Sequence, residues 1–285
     1  GNIGVNRNEI SDLGLLPADF GCLGERVGYY GNSLGDHFGV GHIFLAGEAP
    51  GLFYGYVTQG IVQKEDITEN GIKYIKQDGS VGYYQTVNKT TPVAGDVKYV
   101  DRNGDGVVDD NDRDIIGNPN PDFTYGFQTK VSWKSLSLSA SFNGVQGRDI
   151  LNVGNRYNNT PGTKSNNVTR KAFQNMWTDE NPSNLYPKST FVVQNMVMDR
   201  YVEDGSYLRC SDITLSYVLP AKWTNKIGIK NTSVYASVKN AFVITDYSGY
   251  DPEVNSFAFD GLRPGVDMNS YPTPRSFVFG LNLTF

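Results

Sequence analysis

The sequence predicts an all-β fold of antiparallel strands, and the clearest sign is the strict alternation of its last ten residues. Apolar residues stand at every second position, between small or polar ones: Phe277, Phe279, Leu281, Leu283 and Phe285. Successive side chains of a strand point to opposite faces, so one face of this strand is wholly apolar. Its length matches a tilted strand that crosses a bilayer, which takes about 9–11 residues. A soluble sandwich could use the same strand, so this segment alone leaves both folds open.

Composition limits the class of protein. The chain has 285 residues, of which 39% are hydrophobic and 13% aromatic. No run approaches the ~18 consecutive apolar residues of a membrane helix. A membrane protein of this composition must therefore be a barrel, whose alternating strands average to a hydrophilic sequence. The net charge of −5 argues against nucleic acid and against an anionic membrane surface as partners.

Two further features concern the ends and the cysteines of the chain. Cys22 and Cys210 do not make a disulfide framework, and the sequence leaves open whether they pair. The chain opens on Gly1 with neither Met nor a signal peptide. We therefore expect it to begin within a longer protein.

Seven segments have strand patterns. They are residues 2–13, 53–63, 124–133, 136–147, 206–219, 232–243 and 276–285. Several have one apolar and one polar face. A polar second face fits the wet lumen of a barrel, and it also fits the solvent side of a soluble sheet.

The connections between the strands favour the barrel. Lys134 and Ser135 form a tight turn and residues 220–231 a fairly short connection, whereas 64–123, 148–205 and 244–275 are long and polar. Outer-membrane barrels have short periplasmic turns and long extracellular loops, and compact soluble domains rarely carry loops beyond ~12–15 residues. We expect the three long segments outside the cell and the chain end in the periplasm. In the alternation of short and long connections, residues 11–52 should form a short periplasmic connection, yet this segment is long. A short helix is expected at 170–175.

An acidic loop is the sharpest local motif, and it fits the calcium-loop template of oxygen donors at positions 1, 3, 5, 7, 9 and 12 with Gly at position 6. The predicted ligands are the side chains of Asp101, Asn103, Asp105, Asp109 and Asp112 and the backbone carbonyl of Val107. Gly106 permits the sharp turn that folds the donors around one point. The alternative is a polar turn, because Asn-Gly and Asp-Gly are good turn formers. With no helix pair around the loop, we expect a structural calcium site and not a sensor.

Catalytic motifs are absent from the sequence, which predicts that the protein is not an enzyme. His37 and His42 are the only histidines, and their spacing matches no zinc site. Neither a Gly-x-Ser-x-Gly elbow nor a phosphate-binding loop occurs. Tyrosine and tryptophan side chains in the long connections could stack on sugars, although packing is the commoner role of such residues.

A set of motifs runs in a fixed order along nearly the whole chain. They are EAPGLFYGYVTQG (48–60), GDVKYVDRNGDG (95–106), DRDIIGNPNPDFTYGF (112–127), WTDENP (177–182), SYLRCSDITLSY (206–217), YDPEV (250–254) and YPTPR (271–275). In content and order they resemble the C-terminal part of SusC/RagA-type TonB-dependent transporters. At Cys210 and Ser211 this family usually carries an apolar residue and a polar one.

This resemblance implies a fold and a role. The family's barrel has about 22 strands around a plug, and residues 1–285 would supply about its last seven, with 64–123 as an extracellular loop. Such proteins import large nutrients, commonly oligosaccharides and sometimes peptides, across the outer membrane of Gram-negative bacteria. A SusD-like surface lipoprotein closes over the extracellular loops, and the TonB complex acts on the plug, so the implied partners are this lipoprotein, the remainder of the barrel with its plug, TonB and the lipid bilayer.

A second hypothesis of another class remains: a secreted, calcium-stapled β-domain that binds carbohydrate. Extraction separates the two, because the barrel needs detergent and the secreted domain is soluble. The sequence gives neither the substrate, whose contacts would lie in loops and in the plug, nor the oligomeric state.

Overall fold

A computed structural model of the protein describes residues 1–14, 22–23, 26–35, 38–160, 167–189, 196–224, 229 and 231–284. In the first half of the chain the strands are β1 (Asn2–Gly4), β2 (Cys22–Leu23), β3 (Arg26–Tyr30), β4 (His42–Leu45), β5 (Leu52–Tyr56), β6 (Thr58–Ile61), β7 (Ile67–Thr68), β8 (Gly71–Ile75), β9 (Val81–Tyr84), β10 (Thr86–Val87), β11 (Val97–Tyr99), β12 (Val107–Val108), β13 (Arg113–Gly117) and β14 (Phe123–Trp133). In the second half they are β15 (Leu136–Gln146), β16 (Asp149–Asn152), β17 (Val202–Asp204), β18 (Tyr207–Val218), β19 (Asn231–Thr245), β20 (Val266–Asp267) and β21 (Ser276–Thr284). The helices are α1 (Val153–Asn159), α2 (Arg170–Asn175) and α3 (Ala221–Thr224), with short 3-10 turns at Lys64–Asp66, Asp110–Asp112 and Asp199–Tyr201.

Six strands form one long antiparallel sheet in the order β1-β14-β15-β18-β19-β21. Apart from the three residues of β1, these strands have 9 to 15 residues each. Lys134 and Ser135 close the β14–β15 hairpin, and Lys134 adopts a φ of 53°, the left-handed conformation that tight two-residue hairpin turns use. The predicted all-β, barrel-type strand pattern is confirmed for this sheet.

The long connections all leave from one end of the long sheet. Gly4 pairs with Thr124 at this end, and Phe123 with Gln146. On the next strands Val145 pairs with Tyr207, and Tyr207 with Thr245. Because neighbouring strands are antiparallel, residues 5–122, 147–206 and 246–275 emerge together, opposite the turns after β14 and β18.

The predicted strand at 53–63 does not belong to the long sheet. Its residues form β5, which lies in a sheet of order β13-β5-β4-β3-β2, and β6, which pairs with β11. All five residues of β5 are buried, so this segment has no lipid-facing side. The excess length of residues 11–52 is thereby explained, because residues 5–122 are one long connection. The predicted strand at 2–13 is also shorter than expected, since regular pairing ends at Gly4.

The hydrophobic core of the described residues lies in the connections. Its largest cluster contains aromatic side chains from the 5–122 connection, packed against residues of the 147–206 connection such as Trp177 and Tyr201. Smaller clusters surround Ile43 and Ile150. Among buried hydrophobic residues of the described chain, only Tyr207 and Cys210 lie in the long sheet. We call the packed body formed by residues 26–35 and 38–117 the loop module.

Candidate functional site

The apolar face of the long sheet is continuous across its strands. Directly paired residues of an antiparallel ladder point to the same face. In one row Phe279 pairs with Ala236, Ala236 with Leu215, Leu215 with Leu138, and Leu138 with Val131. The next row has the same character and contains Leu281, Val234, Tyr217, Leu136 and Trp133.

This apolar face is exposed. Phe279 is 79% exposed and Val131 64% exposed. Soluble proteins rarely expose contiguous apolar patches of more than a few hundred Å², so such a face marks contact with lipid or with another protein. Of the predicted lipid-facing residues, Phe277, Phe279, Leu281 and Leu283 are exposed on β21, and Phe285 lies outside the described residues. Their contact with lipid stays a prediction.

Exposed tryptophans border the apolar face near the short connections. Trp133 ends β14, and Trp223 lies in α3 after β18; both are more than half exposed. The Nζ atom of Lys134 lies 4.8 Å from the Trp133 ring centroid. Tryptophan and lysine side chains favour the boundary between lipid and water. This rim therefore fits the position of an interfacial girdle.

The opposite face of the long sheet is polar and hydrogen-bonded between strands. Asp212 accepts hydrogen bonds from the hydroxyl groups of Thr214 (2.8 Å) and Ser237 (2.9 Å). Lys239 Nζ lies 2.7 Å from Asp212 Oδ2. Asn282 of β21 pairs with Ser233 on this face. A polar inner wall of this kind suits a water-filled lumen.

The 246–275 connection is anchored to the long sheet by charge. Arg209 Nη2 donates to Asp251 Oδ1 at 2.5 Å, and both side chains are about nine-tenths buried. Tyr207 Oη donates to Glu253 Oε1 at 2.7 Å, and Asn143 Nδ2 donates to the same oxygen at 3.0 Å. Sequence spacing does not reveal this anchor, because it depends on strand register. The only sequence signal was YDPEV, one of the motifs of the resemblance.

The acidic loop is closed by its own backbone amides. Asp101 Oδ1 and Oδ2 accept from the amides of Gly104 (2.6 Å) and Gly106 (2.8 Å). The Oδ1 and Oδ2 atoms of Asp112 accept from the amides of Arg102 (2.7 Å) and Asp109 (2.8 Å). Burial raises the Asp112 pKa, against the effect of these amide donors.

The remaining predicted ligands also turn toward loop amides. Asn103 Oδ1 accepts from the amide of Asp105, Asp105 Oδ1 from that of Val107, and Asp109 Oδ1 from that of Asn111. Within the described ranges no group of three or more His, Cys, Asp or Glu side chains could hold a metal ion. Calcium binding stays a prediction, and the local hydrogen bonds alone account for the shape of the loop.

Aromatic side chains of the connections divide between packing and exposure. Trp177 and Tyr247 are buried, and the hydroxyl of Tyr247 donates to Asp267 Oδ2 at 2.7 Å. Tyr250 is 72% exposed. His42 is buried, and His37 lies outside the described residues. No helix of the described chain is long and apolar enough to cross a membrane.

Curated relatives identify the family. TonB-dependent receptor P26 of Formosa agariphila is 30% identical over 98% of this chain and 26% of its own length. TonB-dependent receptor P3 of the same organism is 33% identical over 85% of the chain, and TonB-dependent receptor SusC of Bacteroides thetaiotaomicron is 34% identical over 66%. The chain belongs to the SusC/RagA-type TonB-dependent receptors. No protein-family model matches it.

Solved structures agree with the fold of this family. The RagAB peptide importer in its open-open state matches 99% of the chain with a TM-score of 0.63 at 24% identity. A second structure, of the RagAB peptide transporter, matches 86% of the chain with a TM-score of 0.59 at 25% identity. The chain spans about a quarter of the length of these proteins and of the first curated relative. Its relatives are receptors and transporters of an outer-membrane barrel family and not enzymes.

Proposed function

We propose that this SusC/RagA-type chain forms the C-terminal part of the barrel of an outer-membrane importer of large nutrients. The observation that carries the proposal is the exposed apolar face that crosses the long sheet, with a polar face behind it. Lipid covers the first face, and the polar wall with Asp212 lines the lumen. The alternative of a soluble, secreted carbohydrate-binding domain leaves the apolar face in water, which costs free energy in proportion to its area.

The proposed importer works with a SusD-like surface lipoprotein and with TonB. The long connections gather at one end of the sheet, where the loop module packs against the 147–206 connection, and together they offer a large surface for a lipoprotein outside the cell. The RagAB structures are those of a peptide importer, and SusC is a TonB-dependent receptor. Oligosaccharides are the first substrate class of the proposal, and peptides are the second.

Uptake by cells that carry the complete receptor tests this function. Deletion of the gene should abolish growth on one oligosaccharide or peptide as sole nutrient, and the full-length gene should restore it. Loss of TonB should have the same effect as the deletion, since transport depends on it. Unimpaired growth of the deletion strain on every nutrient tried, or recovery of the protein without detergent, would contradict the proposal.

We also propose that the acidic loop binds one calcium ion through Asp101, Asn103, Asp105, Asp109, Asp112 and the carbonyl of Val107. The support is the complete donor spacing and the left-handed φ of 87° at Gly106, which turns the chain within the loop. Binding would draw the four carboxylates to one point, where they repel each other unless a cation neutralises them. Calorimetric titration of the chelator-treated receptor is the test. We expect heat of calcium binding for the parent receptor and none for the double variant D101N/D105N. If the parent receptor does not bind calcium at millimolar concentration, the loop is only a polar turn.

A further inference from the structure

A polar cleft of about 480 Å³ lies where the 147–206 and 246–275 connections meet. Its walls come from α1, α2 and the segments around Arg200, Tyr250 and Asn269. A smaller cavity of about 200 Å³ shares Asn155, Lys171 and Arg200 with it, so the two adjoin. From the sequence, α2 was expected as a helix, and Tyr186 and Tyr250 were among the tyrosines of the long connections that could stack on sugars.

The carboxylates of the cleft are already engaged by the protein. Glu203 Oε1 accepts from Asn152 Nδ2 (3.0 Å), Asn155 Nδ2 (2.9 Å) and Ser248 Oγ (2.9 Å), and Oε2 accepts from the Ser248 amide (2.8 Å). Asp267 accepts from the Tyr247 hydroxyl at 2.7 Å. Both acids therefore hold the walls of the cleft in place.

The two cations of the cleft are not balanced by ion pairs within the described part of the chain. Among the described residues, neither Lys171 nor Arg200 makes an ion pair with a carboxylate. Arg200 Nη2 donates to the Leu185 carbonyl at 2.5 Å, and its Nη1 has no hydrogen-bond partner in the described chain. The cleft thus holds two cations and two carboxylates, but the oxygens of Glu203 and Asp267 already accept from protein donors, whereas Lys171 and Arg200 are not paired with a carboxylate of the described residues. An anionic group of a ligand would therefore contact Lys171 and Arg200.

The wall of the cleft near α1 is tightly built. Asn269 has a φ of 66°, and its Oδ1 accepts from Asn158 Nδ2 at 3.3 Å. A Cβ at Gly154 would collide with the Asn269 carboxamide, so Gly154 allows α1 to approach this closely. A wall fixed before binding lowers the entropic cost of binding a ligand.

The lining chemistry suits a sugar better than a peptide. The described lining residues include five asparagines, whose carboxamides donate and accept as hydroxyl groups do, and no aliphatic side chain such as Leu or Val. The described lining of this cleft therefore offers no apolar pocket for peptide side chains, whereas Leu185 and Pro187 line the adjoining cavity. The exposed ring of Tyr250 can lie against the apolar face of a sugar ring.

We propose that this cleft binds an acidic oligosaccharide, whose carboxylate or sulfate group contacts Lys171 and Arg200. The proposal rests on the proposed function, since it names the substrate class of the importer. Asparagine carboxamides and Tyr250 would bind the hydroxyl groups and ring faces of the same ligand.

Binding to the purified full-length receptor in detergent tests the cleft. The probes are short oligogalacturonides, which carry carboxylates, and short carrageenan oligosaccharides, which carry sulfates; neutral malto-oligosaccharides and a glutamate-rich peptide are the comparisons. The double variant K171Q/R200Q should weaken binding of the acidic sugar by about tenfold or more. The matched control is R170Q, because Arg170 is an exposed neighbour on α2 that does not line the cleft. Binding should also weaken as salt is raised.

Each outcome decides a separate point. Binding of either acidic sugar that K171Q/R200Q weakens and R170Q leaves intact supports the proposal and identifies the anionic group. Equal affinities for acidic and neutral sugars, tighter binding of the peptide, or equal effects of both variants would overturn it. If the deletion strain fails to grow on some other nutrient and the receptor binds no acidic sugar, the importer function is supported and only the proposal for the cleft is refuted.

Discussion

His42 is a buried base that the loop module keeps neutral. Its Nε2–H donates to the Pro264 carbonyl at 2.8 Å, while the buried Nδ1 has no partner among the described residues. Burial lowers the His42 pKa from 6.5 to about 4. A second proton would place a charge and an unpaired N–H donor inside the loop module.

Acid should therefore weaken the module around β4 and β5. Above the unfolded pKa of 6.5, His42 is neutral in both states and adds no pH dependence. As the pH falls from 6.5 toward 4, His42 binds a proton in the unfolded state but not in the folded state. The free energy of unfolding therefore falls by up to roughly 3 kcal/mol. Amide hydrogen exchange of β4 and β5 in the full receptor, corrected for intrinsic rates, should show more opening at pH 5 than at pH 7. H42Q should lack this difference, and an equal pH response in both proteins would refute the assignment.

The predicted lipid contact of β21 can be tested at neighbouring residues. Leu281 lies on the apolar face, and Asn282 pairs with Ser233 on the polar face. An arginine on the lipid side near the bilayer centre costs about 2–4 kcal/mol, whereas one in the lumen stays hydrated. The yield of folded receptor in outer-membrane fractions should therefore fall far more for Leu281→Arg than for Asn282→Arg. Equal yields would count against lipid at this face.

The Arg209–Asp251 pair fixes the 246–275 connection to β18. Asp251→Asn removes the nearer and more buried of the two carboxylates that pair with the Arg209 guanidinium, of which only 7% is exposed. Breaking a buried pair on one side is costly, and we expect about 3 kcal/mol of lost local stability. Limited proteolysis of the connection should speed up accordingly. Glu253→Gln is the control, because Glu253 is 38% exposed and should lose less; equal proteolysis of both variants would remove the anchor role.

The long strands were predictable because their pattern is local. The five long strands β14, β15, β18, β19 and β21 each have nine or more residues, and the structure places them within a few residues of the predicted bounds. Residues 53–63 misled the prediction because β5 is buried on both faces by the loop module. An apolar strand of this length suits either a core or a membrane, and only the surrounding sheet decides.

The same contrast holds for the candidate sites. The acidic loop could be predicted from the sequence because its hydrogen bonds join residues that all lie within 101–112. Its ion cannot be read from spacing, since the same spacing lets each side chain accept a loop amide. Asp212 and Lys239, or Glu203 and Ser248, meet only through register and through the packing of distant connections. Sequence spacing carries no information about such contacts.

The whole molecule has a membrane-type sheet at one end and a packed loop module at the other. Its buried core lies in the connections, and its longest strands expose apolar side chains. This division is the reverse of a soluble sandwich, in which the sheets cover each other. We therefore propose that the sheet lies in the bilayer and the loop module at the cell exterior.

Labelling of single cysteines on intact cells tests this assignment most directly. Asn158 lies in α1, within a long connection, and Ser135 lies in the tight turn after β14. A membrane-impermeant maleimide should label the full-length receptor at Asn158→Cys and leave Ser135→Cys unlabelled until the outer membrane is broken, with the parent receptor as the background for its native cysteines. Labelling of Ser135→Cys on intact cells, with none at Asn158→Cys, would contradict the proposed orientation. If the receptor is recovered as a soluble protein in which Asn158→Cys and Ser135→Cys are labelled equally, the barrel fold itself is contradicted.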